Sequence, residues 1–129
     1  MPEQLSTTVR VFSLDREAVI RNATAAAEKL VASDKGVLKV LLFGSLATPS
    51  FSPHSDLDLL VVLTHDERRR MDRIPEFLES FLDVGCPVDV LVYTESELNR
   101  EKDEPFLKRV LRRAIVLAES PPRENRRQA

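Results

Sequence analysis

The sequence predicts a mixed α+β domain, with a sheet of three to five strands and helices packed on it. Three short apolar runs, at 37–43, 57–64 and 88–93, are typical of strands, and segments with helical periodicity lie between them. The chain has 129 residues, of which 43% are hydrophobic, which suits one domain with a buried core. We expect residues 1–118 to form this domain and the proline-containing, apolar-poor residues 119–129 to be a mobile tail.

The first helix is predicted over residues 15–33, where small and apolar side chains recur every three or four positions. Ser13 or Asp15 can cap its start, and Gly36 stands where a left-handed residue would end it. A short edge strand at 8–12 is a further possibility before this helix.

The run at 37–43 is apolar except at Lys39, so it predicts a buried strand. Residues 44–55 contain two prolines and show no periodicity, which indicates a loop that can open with a helical turn. A second strand is predicted over 57–64.

Residues 66–83 have the pattern of a helix with one apolar face. Pro75 requires either a kink or a start of the helix at that point, and Gly85 supplies the residue that ends it. The alternating charges at 66–73 are typical of a solvated helix face, and a face that docks a partner is the alternative. A third strand follows at 88–93.

Two short helices are predicted over 95–100 and 105–113. In the second of them, three apolar side chains are expected to face inward: Phe106, Val110 and Leu111. Residues 114–118 fit a last strand or a continuation of the helix equally well.

The charge balance and composition exclude several classes of protein. A formal net charge of −2 argues against a polybasic membrane binder or a nucleic-acid coat protein, and the lack of Trp leaves few platforms for base stacking. Cys86 is the one cysteine, so there is no disulfide framework and no cysteine zinc site, and a reducing, cytoplasmic location is expected. No apolar run is long enough to span a bilayer.

Gly44 and Ser45 stand directly after a predicted buried strand and before a polar loop. Glycine lets the main chain turn sharply and lets a ligand approach the amide groups. A serine hydroxyl beside such amides is a suitable place for phosphate oxygens. By itself this pair is explained about as well by a tight turn.

Asp56 and Asp58 follow ten residues after Ser45, at the start of the second strand. Residues two apart in a strand face the same side, so the two carboxylates project together. Their mutual repulsion favours a compensating cation, and carboxylate pairs that hold two Mg²⁺ ions serve phosphoryl and nucleotidyl transfer. The simpler alternative is that they end a loop.

Asp89 interrupts the apolar third strand. If this strand neighbours the second one, Asp89 can face Asp56 and Asp58, bind one metal ion and accept a proton from an attacking hydroxyl. As an isolated residue it would more simply be a charge on an edge strand.

These motifs together resemble the signature of minimal nucleotidyltransferase domains in the DNA polymerase beta-like nucleotidyltransferase superfamily. The similar segments are Leu42-Phe43-Gly44-Ser45, the ten-residue spacer, Ser55-Asp56-Leu57-Asp58-Leu59-Leu60-Val61, and Pro87-Val88-Asp89-Val90. The resemblance implies a mixed sheet, two Mg²⁺ ions and a nucleoside triphosphate with its phosphates at Gly44 and Ser45. Loops of this family often read Gly-Ser-Arg-Ala-Arg-Gly, whereas this loop reads Gly44-Ser45-Leu46-Ala47-Thr48-Pro49 and has neither arginine.

The resemblance further implies an enzyme that transfers AMP from ATP to a hydroxyl. Stand-alone minimal domains of this family are commonly antitoxins that adenylylate a tyrosine of a small helical HEPN-type ribonuclease toxin, and the short chain fits a protein acceptor. Two alternatives stay open: a non-catalytic module that binds the nucleotide or neutralises the toxin by occlusion, and a small-molecule nucleotidyltransferase that acts as a dimer. A homo- or hetero-oligomer is compatible with each of these functions.

Overall fold

A computed structural model describes residues 15–47 and 56–121 of the chain. Within these ranges the protein forms four strands, four α-helices and two single 3-10 turns, which confirms the mixed α+β class. The elements are α1 (Arg16–Ser33), β1 (Val37–Phe43), a turn at Ser45–Ala47, β2 (Leu57–Leu63), α2 (Arg70–Leu78), a turn at Glu79–Phe81, β3 (Val88–Thr94), α3 (Glu95–Glu101), α4 (Pro105–Arg113) and β4 (Ile115–Glu119).

The four strands form one mixed sheet in the order β3-β2-β1-β4. β1 runs antiparallel to both β2 and β4, whereas β2 and β3 are parallel. Because of these directions, β1 ends at the same edge of the sheet at which β2 and β3 begin. This edge therefore collects the glycine–serine turn and the predicted carboxylates.

Apolar side chains cover both faces of the sheet. Along β2, Leu57 and Leu59 join the cluster that packs under α1, whereas Leu60 and Val62 join the cluster under α4. This alternation follows from the two-residue period of a strand. Helices thus cover each face of the sheet, and we call the two sides the α1 face and the α4 face.

The start of α1 confirms one of the two predicted caps, because the carboxylate of Asp15 accepts a hydrogen bond from the N–H of Ala18 at 3.1 Å. The predicted role of Gly36 is wrong, since its main chain is not left-handed. Instead, the side chain of Asp34 accepts the N–H of Gly36 at 2.9 Å, and this local turn ends the helix without a left-handed residue. Ser13 and the possible strand at 8–12 lie outside the described residues.

α2 begins at Arg70, later than the predicted start at residue 66, and Pro75 lies inside it. The helix therefore does not start at the proline, and it ends in the 3-10 turn at Glu79–Phe81 rather than continuing to residue 83. Gly85 has a φ of 105° and lies in the turn that leads to β3. A side chain at this position would be strained, which explains the glycine.

The prediction of a solvated face at 66–73 is wrong for Arg73, whose side chain is 2% exposed. Arg73 donates hydrogen bonds to both carboxylate oxygens of Glu97, at 2.7 and 2.9 Å. It also donates to main-chain oxygens of Asp66, Arg68 and Val92. A buried guanidinium is stable only when its N–H groups are paired in this way, so the contact fastens α2 to β3 and α3.

The segment after α4 is a strand, which settles the alternative left open for residues 114–118. It extends to Glu119, and Ser120 donates its N–H to the oxygen of Leu38 at 2.8 Å. The sheet therefore continues just past the predicted domain limit at 118, and residues 122–129 lie outside the described residues. No helix within the described ranges is both long and apolar enough to cross a membrane.

The predicted inward orientation is confirmed for two side chains of α4. Val110 is buried, and Leu111 packs at the edge of the core. Phe106 differs from the prediction, because 46% of it is exposed. Its ring meets Phe43 edge-on, with 6.5 Å between the ring centroids and 89° between the planes. It lies at the first turn of α4, where the helix reaches the end of β1.

Candidate active site

The glycine–serine turn closes directly over a carboxylate. Gly44 has a φ of 76°, a left-handed conformation that favours glycine, and its oxygen accepts the N–H of Ala47 at 3.1 Å. A Cβ atom at Gly44 would collide with the carboxylate of Asp58, whose Cγ would be 2.9 Å away. The predicted helical turn is confirmed at Ser45–Ala47. Glycine is therefore needed for the turn to lie against Asp58.

Strand pairing brings the predicted carboxylates together. Asp58 is paired with Phe43 of β1 on one side and with Asp89 of β3 on the other. The parallel register puts Asp58 and Asp89 on the same face of adjacent strands. Asp56 lies immediately before β2 and is exposed, as is Asp89. The condition on which the role of Asp89 depended, that its strand neighbours β2, is met.

The carboxylates interact electrostatically. Burial raises the pKa of Asp58 from 3.8 to about 6, and the charge of Asp89 and then that of Asp56 add to this effect. The neighbour across the strands thus acts on Asp58 more strongly than the neighbour two residues earlier in sequence. A partly buried carboxylate beside two like charges is destabilised in its ionised form, which is the condition that a bound cation would relieve.

The donor set fits Mg²⁺, which prefers carboxylate oxygens and completes its shell with water and phosphate oxygens. The side chains do not already enclose an ion: within residues 15–47 and 56–121, no group of three or more His, Cys, Asp or Glu side chains is arranged to hold a metal. The main chain sets the three positions, and Asp56 and Asp89 are exposed side chains that can rotate. Asp56, Asp58 and Asp89 are the residues that could hold the ions.

Arg16 is a residue that the sequence analysis did not identify. Its Nε atom donates a hydrogen bond to the oxygen of Leu46 at 3.1 Å, so α1 holds the turn that follows Gly44. The turn itself has no arginine, and this contact places a guanidinium beside it from another element. Since 30 residues separate the two partners, no local motif could have revealed it.

Cys86 lies near Asp56, in the segment that leads to β3. Burial is the main cause that raises the pKa of its thiol, with a further contribution from the charge of Asp56. A thiol with a raised pKa is a poor nucleophile at neutral pH. The next residue, Pro87, accepts the N–H of Leu57 at 2.9 Å, so this segment helps to join β3 to β2.

The described residues also form a groove of about 680 Å³ at the other end of β1, between α1 and β4. It is lined by residues that include Glu28, Lys35 and Ser120, and none of the three predicted carboxylates borders it. We therefore place the candidate active site at the carboxylate edge, which is the end of the sheet where Gly44, Asp58 and Asp89 lie.

The mixed sheet presents carboxylates from adjacent strands beside a glycine–serine turn, which agrees with the resemblance to nucleotidyltransferase domains. Residues 25–120 match the family model described as "Nucleotidyltransferase domain". The chain belongs to this family. The match includes all five residues that the sequence analysis assigned to the site: Gly44, Ser45, Asp56, Asp58 and Asp89.

One solved structure shares the fold, and two others are less similar to the chain. A protein from Sulfolobus solfataricus that is described as a nucleotidyltransferase is 23% identical, with a TM-score of 0.59 over 81% of this chain and 83% of that one. A toxin–antitoxin complex with AMP-PNP gives 21% identity and a TM-score of 0.47, over 83% of this chain and 75% of that one. A mutant of the toxin–antitoxin complex MntA-HpeT gives 19% and 0.44 with the same coverage. No curated protein matches the chain.

Proposed function

We propose that this protein is a Mg²⁺-dependent enzyme that transfers AMP from ATP to a hydroxyl group. The observation that carries the proposal is the pairing of Asp58 with Asp89 on parallel strands, beside a turn that only glycine allows. Family membership supports the general reaction class. The choice of ATP and of Mg²⁺ rests on the resemblance described above and on the carboxylate donor set.

Each site residue has a defined role in this proposal. Asp56 and Asp58 would hold both metal ions, and Asp89 would hold one of them. Gly44 and Ser45 would bind the β- and γ-phosphates through main-chain amides and the hydroxyl. The bound ions would neutralise phosphate charge.

Asp89 would also receive the proton of the acceptor hydroxyl. The acceptor oxygen then forms a bond to the α-phosphorus, and the bond to pyrophosphate breaks. Because Asp89 is exposed near the start of β3, which is an edge strand of the described sheet, an acceptor can approach it from solvent. Most of the catalysis comes from positioning and charge neutralisation.

We further propose that the acceptor is a tyrosine of a small helical HEPN-type toxin, and that the chain is the antitoxin of the pair in the cytoplasm. The motif resemblance to minimal nucleotidyltransferase domains supports this part. The exposed position of Asp89 is compatible with an acceptor carried on another protein.

A second candidate function is a binding module that occludes its partner without chemistry. One observation favours it: the loop after Ser45 has no arginine at Leu46 or Thr48. In this case Asp89 would not be needed for the neutralisation of the partner.

The decisive experiment compares the parent with Asp89→Asn and with a control, Asp83→Asn, which changes an exposed carboxylate elsewhere. Each variant is incubated with the co-encoded partner, Mg²⁺ and labelled ATP, and the added AMP is located by mass spectrometry. We expect Asp89→Asn to lose transfer by at least ~100-fold while it keeps ATP binding, because a positioned base is lost. If the parent transfers no label, yet both it and Asp89→Asn neutralise the partner, occlusion replaces catalysis.

A further inference from the structure

One face of α4 carries an unusual density of positive charge. The helix has nine residues, of which four are basic and none is acidic. Leu107 and Val110 are buried against the sheet, so the basic residues occupy the opposite, exposed side of the helix. We call this surface the basic face of α4; it consists of Lys108, Arg109, Arg112 and Arg113.

None of these four side chains forms an ion pair or a hydrogen bond with another residue of the described part of the chain. The basic residues of α2 behave differently, since Arg70 pairs with Glu101 and Arg73 pairs with Glu97. The basic face therefore holds four positive charges that do not stabilise this fold through pairing. It does so in a chain whose formal net charge is −2.

The first turn of α4 lies beside the candidate active site, and the basic face follows this turn along the helix. Phe106, at the first turn of α4, contacts the ring of Phe43, and Phe43 is the strand partner of Asp58. The helix covers the face of the sheet on which Asp58 lies. A molecule bound along α4 would thus extend from the basic face over the half-exposed ring of Phe106 to the carboxylates.

We infer that the basic face of α4, together with Phe106, docks an acidic segment of the protein that carries the acceptor hydroxyl; this inference rests on the proposed function. Charge complementarity is the reason. Asp56, Asp58 and Asp89 repel an acidic segment, so an adjacent positive surface is needed to guide it. A nine-residue helix is about 13 Å long, which matches about four residues of extended chain.

A protein segment fits this surface better than RNA does. The ring of Tyr93 is buried, and the guanidinium of Arg70 lies 4.1 Å from its centroid, so this ring is not available for stacking. Phe106 is the exposed aromatic ring beside the basic face within the described residues. Successive stacking rings, which single-stranded nucleic acid favours, are not present around α4 in the described residues.

The test measures binding to two synthetic copolymers, poly(Glu,Tyr) and poly(Lys,Tyr), and to an RNA stem-loop of similar length, by fluorescence anisotropy without nucleotide. The full chain is compared with Arg109→Glu/Arg112→Glu and with Arg21→Glu/Lys29→Glu. The control pair undergoes the same change of charge on exposed positions of α1, across the sheet. Circular dichroism and the melting temperature verify the fold of each variant.

We expect the parent to bind poly(Glu,Tyr) and not poly(Lys,Tyr), with an affinity that falls as salt rises. Arg109→Glu/Arg112→Glu in α4 should weaken this binding by at least ~5-fold. The control Arg21→Glu/Lys29→Glu in α1 should weaken it by less than ~2.5-fold. Equal losses in both pairs, or tighter binding of the RNA than of poly(Glu,Tyr), would overturn the inference. Since no nucleotide is present, this result is independent of whether the protein transfers AMP.

Discussion

Replacing Asp58 by asparagine should stabilise the protein in the absence of metal. Burial and the charges of Asp89 and Asp56 raise the pKa of Asp58 from 3.8 to about 6. A carboxyl group whose pKa is higher in the folded than in the unfolded chain destabilises the fold when it ionises. The destabilisation is complete above pH 6 and absent below pH 3.8. This rise in pKa corresponds to a loss of at most about 3 kcal/mol in the free energy of unfolding. Because Asp58 is only partly buried, solvent screening reduces the loss to about 1–2 kcal/mol.

Chemical denaturation in EDTA, between pH 4 and pH 8, measures this effect. The free energy of unfolding of Asp58→Asn should exceed that of the parent at pH 8, and the difference should disappear near pH 4. Asp89→Asn should give a smaller gain, because it removes a neighbouring charge and leaves the burial of Asp58 unchanged. Asp83→Asn serves as the control with no gain.

The same variant should lose the response to ligands. Mg²⁺ with ATP should raise the melting temperature of the parent, since a ligand that binds only the folded state stabilises it by mass action. In Asp58→Asn the increment should be absent. A parent-like increment in this variant, or a loss of stability at pH 8 in EDTA, would refute the reasoning about the carboxylate edge.

Other changes have equally direct expectations. Gly44→Ala should destabilise the protein by about 1–3 kcal/mol and weaken ATP binding, because the new Cβ collides with the Asp58 carboxylate; isothermal titration and denaturation measure the two effects. Arg73→Met should cost about 3 kcal/mol in a denaturation experiment, since it removes the buried guanidinium that hydrogen-bonds to Glu97 and to the oxygen of Val92. The Arg73 contact is the largest cause that lowers the pKa of Glu97 from 4.5 to about 2, and the N–H of Thr94 and the charge of Arg70 add to it. The stabilisation should therefore be complete above pH 4.5 and be lost as the pH falls towards 2, and a denaturation series should show a smaller loss in Arg73→Met. Cys86→Ser should keep stability and AMP transfer within about 1 kcal/mol of the parent, and a loss of transfer after alkylation of a folded sample would contradict this.

Local sequence predicted the elements well where one physical signal dominates. The apolar runs of β1, β2 and β3 were placed within about one residue, because their length and branching suit buried strands. The start and end of α4 follow from Pro105 at its first position and from the apolar spacing after it. The site positions at Gly44 and Asp58 followed from the same strands, since a motif at a strand end has a fixed place in the fold.

Sequence patterns failed where the deciding partner is distant in the chain. Arg73 stands among alternating charges and has the pattern of a surface residue, but Glu97 and the main chain of Val92 bury it. Arg16 reaches Leu46 across 30 positions. Phe106 follows the apolar period of its helix, and the edge of the sheet leaves it half exposed. In each case the tertiary contact decides the environment, and the local pattern does not contain it.

The position of Asp89 depends on how β3 is held in the sheet. Within the described residues β3 has β2 as its one neighbour in the sheet, so no described strand fixes its register from the other side. Two contacts fix it instead: Pro87 accepts the N–H of Leu57 near the start of the strand, and Arg73 binds the oxygen of Val92 near its end. A slip by one residue would turn Asp89 to the α1 face and separate it from Asp58. The buried ion pair of α2 and α3 therefore stabilises the fold and also keeps the two carboxylates on the same face of the sheet.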